Sequence, residues 1–125
     1  MRYIVLDTET TGLDPDDGHK IIEIGCIEIF NRIVTDNTFH KYINPEREID
    51  IEASKVHGLT YNNLKDKPLF KDIYQEFLTY IGDAPLIIHN APFDIGFLKK
   101  EHSLMNTKKD FLENDIIDSL KLARK

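Results

Sequence analysis

Apolar residues run together near the start of the chain, Tyr3-Ile4-Val5-Leu6, and stop abruptly at Asp7. A short β-branched run bounded by turn residues reads as a mostly buried strand, so a strand is predicted over residues 2–7, with a turn at Thr10-Thr11-Gly12. Ile21–Phe30, rich in isoleucine, predicts a second strand, and residues 38–43, ended by Asn44-Pro45, a third. Short connections between them predict an antiparallel meander.

The period then changes. Ile51–His57, closed by Gly58, reads as a short helix with a glycine C-cap. Over residues 68–81 the apolar positions Phe70, Ile73, Phe77, Leu78 and Ile81 fall on one helical face. Residues 86–89 predict a short buried strand. Asn90 is then placed to cap a helix that begins near Pro92 and turns Phe93, Phe97 and Leu98 inward. Ile116–Asp118 reads as a last strand, and residues 119–125 as the opening turns of a helix that stops mid-pattern at Lys125. The order β-β-β-α-α-β-α-β-α predicts an α/β fold: a mixed sheet, three antiparallel strands plus two more, with flanking helices. No repeat, linker or low-complexity tract divides it, so residues 1–125 are expected to form one domain, truncated at its C-terminal end.

Composition narrows the class. With 125 residues, 41% hydrophobic and 30% charged, the chain suits one globular core with a solvated surface. Its apolar runs are far too short to span a bilayer, so no membrane partner is expected. The start runs directly into Asp7 without a cleavage-site pattern, and the single cysteine, Cys26, reads as a buried thiol; a reducing, cytoplasmic setting is expected. The net charge of −6 has the wrong sign for gripping duplex DNA through phosphates alone. Acidic residues that hold a divalent cation would reverse the local field, so a nucleic-acid enzyme stays open.

Three carboxylates carry the candidate chemistry. Asp7 and Glu9 are two apart on a strand, so both project from one face, and two close anions repel unless a cation lies between them; the pair taken alone reads equally as a solvated strand end. Hard cations such as Mg²⁺ or Mn²⁺ favour oxygen ligands. Asp94, one turn into the predicted helix, would complete a cluster if it met them in space; a first-turn acid favoured by the helix dipole explains it equally well. Glu52 and His57 share the short helix and could face a substrate, though a histidine at a helix C-terminus also suits the dipole. Asp118 is a natural N-cap for Ser119 onward. His19, His40 and His102 show no partner pattern and are expected at the surface.

Ile4-Val5-Leu6-Asp7-Thr8-Glu9-Thr10-Thr11-Gly12 resembles the first motif of the DEDD superfamily of 3′→5′ exonucleases, and His89-Asn90-Ala91-Pro92-Phe93-Asp94-Ile95-Gly96-Phe97-Leu98 the second. Gly18-His19-Lys20-Ile21-Ile22-Glu23-Ile24-Gly25 and Val56-His57-Gly58-Leu59-Thr60 are similar to the segments between. Residues 115–125, with Asp118-Ser119-Leu120, resemble the proofreading (epsilon) type found with bacterial DNA polymerase III. The resemblance implies an RNase H-like fold and removal of nucleoside monophosphates from DNA 3′ ends at a two-metal site of Mg²⁺ or Mn²⁺. It implies Asp7, Glu9 and Asp94 as metal-binding catalytic residues, and Glu52 and His57 beside the terminal nucleotide. Thr10, Thr11 and Phe97 would surround the 3′ end, with Asp118 a structural acid behind the site. The implied partners are a single-stranded or frayed primer terminus and the catalytic subunit of DNA polymerase III.

One family motif has no match here. A histidine followed by an aspartate, downstream of Asp118-Ser119-Leu120 in the family, is missing from residues 1–125. Two alternatives therefore stay open: an exoribonuclease of the same fold, and an inactive module that binds metal or a replication partner.

Overall fold

Asn31 and Arg32 both adopt left-handed backbone angles, φ 51° and 71°, and close a two-residue hairpin between β2 (Ile21–Phe30) and β3 (Ile33–Tyr42). The computed structural model describes residues 1–108 and 110–123. That tight turn starts β3 earlier than expected, at Ile33 and not at residue 38. Residues 35–37 look like a loop in sequence because they are polar. They form a bulge, where the register moves from Ile27↔Thr38 to Ile29↔Val34. The Glu28 carboxylate accepts from Thr35 Oγ1 (2.8 Å) and Asn37 Nδ2 (3.1 Å), which satisfies the polar residues within the sheet.

β1 (Arg2–Thr10) also outruns its expected end, pairing antiparallel with β2 as far as Thr10↔Ile21, with a register irregularity between Glu9 and Thr10. On its other edge β1 pairs parallel with β4 (Leu86–Ile88), and β4 parallel with β5 (Ile116–Asp118). The sheet order is β3-β2-β1-β4-β5, the mixed five-stranded sheet that the element order predicts.

Helices α3 (Phe70–Ile81) and α4 (Ala91–Leu104) bury Phe70, Ile73, Tyr74, Phe77, Phe97 and Leu98 against one face of the sheet, where Ile4, Leu6, Cys26 and Phe39 meet them. Three small elements complete the described fold: α1 (Ile51–His57), ended by Gly58 at φ 75° as predicted, α2 (Tyr61–Leu64) and α5 (Ser119–Ala123). Sequence periodicity cannot register α2 or the 3-10 turn at Pro15–Asp17, because each is about one turn long. The end of the expected 119–125 helix lies outside the described residues. Among the described residues no helix is long and apolar enough to cross a membrane.

Two expectations need correction here. Asn90 does not cap α4 with its side chain; it sits at φ 61° and its carbonyl accepts from Phe93 N (3.1 Å), so the helix begins at Ala91. His102 is not a bland surface residue, because its ring lies half-buried between Tyr74 (5.7 Å) and Phe111 (5.6 Å). His40 is exposed, as expected, and pairs with Glu23.

Tyr74 Oη is buried without a hydrogen-bond partner, which costs about 1–3 kcal/mol against leaving that hydroxyl in water. Tyr74→Phe keeps the ring contacts and removes the orphan, so urea denaturation is expected to show a gain of roughly 1 kcal/mol. A loss of stability would reveal a partner for that hydroxyl.

Candidate active site

Alternation along β1 divides the site between the two faces of one strand. Thr8 points under the helices and is buried, while Asp7 and Glu9 project from the other face, Asp7 exposed and Glu9 partly covered. Asp94 reaches the strand from α4 and closes on Thr8: its Oδ2 accepts from the Thr8 backbone N–H (3.2 Å) and from Thr8 Oγ1 (3.1 Å).

With 4% of its surface exposed, Asp94 is a carboxylate taken out of water. Burial pushes its pKa up, the Thr8 hydroxyl pulls it down, Asp7 pushes it up again, and the net result is about 6. Glu9 is also raised, first by burial and then by Asp7, with His57 opposing. Asp7 thus makes both Glu9 and Asp94 harder to ionise, and Glu9 adds to the effect on Asp94. Among the described residues, no three His, Cys, Asp or Glu side chains stand close enough together to hold a metal ion as they are now oriented.

Beside Glu9 lies a cleft of about 430 Å³, within the ~300–1,000 Å³ span of small-molecule pockets. Leu13, Val56 and Phe93 supply apolar walls; Thr10, Glu52 and His57 supply polar ones. Leu13 and Val56 are 85% and 83% exposed, large apolar side chains presented at the cleft mouth and not used in the core. His57 is fixed in one tautomer. Its Nδ1 accepts from Leu59 N (3.1 Å), so Nε2 carries the hydrogen and donates to the Thr10 carbonyl (3.2 Å). With both ring nitrogens engaged, His57 shapes the cleft and offers no free base.

Of the residues expected around the 3′ end, Thr10, Glu52 and His57 line this cleft. Phe97 does not: it is fully buried one turn further along the same face of α4, its ring centroid 5.0 Å from that of Phe93. Phe93 is the ring that reaches the cleft. Thr11 is fully buried too, its hydroxyl 2.8 Å from His19 Nδ1. His19 is correspondingly no surface residue, being 8% exposed. Asp118 caps as expected, its Oδ1 accepting from Leu120 N and from Asn90 N (both 3.0 Å), which ties β5 to the corner from which α4 springs. Burial alone would raise its pKa, but backbone N–H donors outweigh that and lower it. Sequence reasoning did not assign Leu13, Val56 or Phe93 to the site; their only signal was being apolar within or directly beside the motif segments.

The raised Asp94 pKa has a definite sign in stability. Between the ordinary value of 3.8 and about 6 the folded carboxyl holds a proton that the unfolded one has lost, so stability falls as pH rises through that window and stays lowered above it. In chelator, Asp94→Asn, which keeps an acceptor for Thr8, is expected to be more stable than the parent at pH 8 by on the order of 2 kcal/mol. Thermal denaturation should show the difference vanishing near pH 4; equal stability at pH 8 would contradict it.

Comparison with known proteins adds a lineage to this geometry. The DNA polymerase III subunit epsilon of Rickettsia prowazekii (strain Madrid E) is 57% identical over 126 residues, covering 99% of this chain and 55% of that protein. The chain thus spans about half the length of the curated relatives it matches. Among solved structures, exonuclease X in complex with 5′ overhanging duplex DNA superposes with a TM-score of 0.76 at 26% identity, covering 98% of this chain and 62% of that one. Exonuclease I superposes with a TM-score of 0.83 at 15% identity, over 98% of this chain and 29% of that one, a likeness of fold alone. The exonuclease family matches residues 4–125, from the strand that carries Asp7 and Glu9 to the chain's last residue, and the chain belongs to that family.

Proposed function

We propose that the chain takes part in removing nucleoside monophosphates from DNA 3′ ends, as the front of the exonuclease domain of a proofreading polymerase subunit. The observation that carries this reading is the cleft: apolar walls suited to one base, with Glu9 in its lining, a carboxylate that like Asp94 is pushed up by burial and by Asp7. In this reading Leu13, Val56 and Phe93 hold the terminal base by stacking and apolar contact, which every base accepts. Such a cleft favours an end that is single-stranded or frayed, because an unpaired base has less stacking to give up. Thr10 and Glu52 lie where they can orient the terminal sugar, and His57 holds α1 against the end of β1.

Asp7, Glu9 and Asp94 are the proposed metal ligands and the catalytic residues. Their donor set, oxygen only and negatively charged, suits a hard divalent cation such as Mg²⁺ or Mn²⁺, and burial with mutual repulsion gives the acids a reason to accept one. Asp7 and Glu9 would have to turn toward it. These residues would hold the cation, which would supply charge neutralisation at the scissile phosphate and a lowered pKa for the attacking water. Thr8 fixes Asp94 by two hydrogen bonds, so that carboxylate needs no reorganisation. His57, engaged at both nitrogens, and His19, buried, are not free to take the proton from that water. The names of the relatives support the catalytic subunit of DNA polymerase III as partner and the cytoplasm as setting.

With Mn²⁺ and a 5′-labelled single-stranded DNA oligonucleotide, stepwise shortening from the 3′ end is expected once the C-terminal segment of an epsilon subunit is supplied. Asp7→Ala and Asp94→Ala should each slow it by roughly 10²-fold or more, the scale of a lost electrostatic stabiliser. A matched RNA oligonucleotide should be degraded more slowly. Intact DNA under these conditions, or faster loss of RNA, would sink the proposal.

A further inference from the structure

Six polar or charged side chains are buried among the described residues. Thr8, Thr10 and Asp94 belong to the site, and Glu101 joins α4 to the start of β2 through Ile21 N (3.0 Å) and Lys20 Nζ (3.4 Å). Thr11 and His19 remain, and they are bonded to each other.

The helix that walls the cleft, α1, buries none of its residues. Apolar packing therefore does not hold it, and Ile51 and Val56 face outward. Its visible ties are polar. Asp50, just before the helix, donates its backbone N–H to the Thr11 carbonyl (2.9 Å), and His57 bonds the Thr10 carbonyl. The third tie is His19, whose Nε2 lies 3.3 Å from Asp50 Oδ2 while Nδ1 meets Thr11 Oγ1.

The chemistry of this link is determined by its neighbours. A ring nitrogen facing a carboxylate carries hydrogen, since two lone pairs would repel, so Nε2 turns its N–H toward the Asp50 carboxylate in a polar contact of 3.3 Å. Thr11 Oγ1 accepts from Lys20 N (3.0 Å), which leaves the hydroxyl hydrogen free to point at Nδ1. The ring also occupies the space in which a Cβ on Gly12 would lie, so the backbone beside Leu13 can approach only because residue 12 is glycine.

We infer that His19 is a positioning residue: a strut between the turn after β1 and the start of α1 that sets the width of the terminal-nucleotide cleft without touching the nucleotide. This rests on the reading of the cleft under the proposed function. Asn at position 19 keeps a polar group near Nδ1, and Gln keeps one near Nε2, so the two halves of the strut can be separated.

The probes are thymidine 5′-monophosphate in Mg²⁺, followed by calorimetry, and backbone amide exchange of the whole chain. His19→Ala, His19→Asn and Asp50→Ala are each expected to weaken nucleotide binding roughly three- to tenfold, the scale of one hydrogen bond. They should also speed exchange over residues 51–58, and leave Mg²⁺ affinity unchanged. His19→Gln should recover binding to within about twofold of the parent, and the His19→Ala/Asp50→Ala pair should be no worse than either alone. Asp50 is half-exposed, so its variant tests the strut even if His19→Ala folds poorly. Unchanged nucleotide affinity in Asp50→Ala, or a parallel fall in Mg²⁺ affinity, overturns the inference. If the parent binds no nucleotide, the proposed function fails, and amide exchange alone decides the strut: no acceleration in Asp50→Ala overturns it.

Discussion

Burying a carboxylate against a central strand is costly unless hydrogen bonds meet it, and the contact between Asp94 and Thr8 is where this fold accepts that cost. β1 lies in the middle of the sheet, but its pairing with β4 ends at Val5, so Thr8 is held by β2 on one edge and presents its N–H to a partner on the other. α4 must therefore bring Asp94 to it. The corner at Asn90, strained to φ 61° and anchored by Asp118, sets the angle at which that helix leaves the sheet. Fold and site are joined at this point: the packing of Phe97 and Leu98 that stabilises the core also delivers Asp94.

The two sides of the site are built by different physics. On the Asp94 side, helix and strand are fixed by a dry core of large side chains. On the other side, α1 contributes no buried residue and hangs on polar ties to residues 10, 11 and 19. Elements with few buried contacts open at the low end of a protein's local stability, so the cleft has one rigid wall and one that yields. Under the proposed function, that division would let the cleft admit chain ends of any sequence and then hold the terminal base.

The net charge of −6 is consistent with this arrangement and does not explain it. Acids gathered around one strand end repel both one another and a phosphate until a cation is present, and the upward shifts at Asp94 and Glu9 register that repulsion.

Much of the architecture was legible in sequence because it follows from local periodicity. Strands β1 and β2, helices α1, α3 and α4, the glycine that ends α1 and the mixed sheet all follow from apolar spacing and turn residues. Asp7 and Glu9 followed from a period of two, and with Asp94 from motif likeness. What sequence could not supply were relations between residues far apart in the chain. The bulge that lets polar residues 35–37 stay within β3 depends on Glu28 across the strand pair. Phe97 and Phe93 look alike in sequence, and only the direction from which α4 meets the sheet sends one into the core and the other to the cleft. His19 reads as an unpartnered histidine until the fold brings Thr11 and Asp50 to its two nitrogens. Local pattern determined which elements form, while burial and partner choice were decided by contacts between segments that only the folded chain brings together.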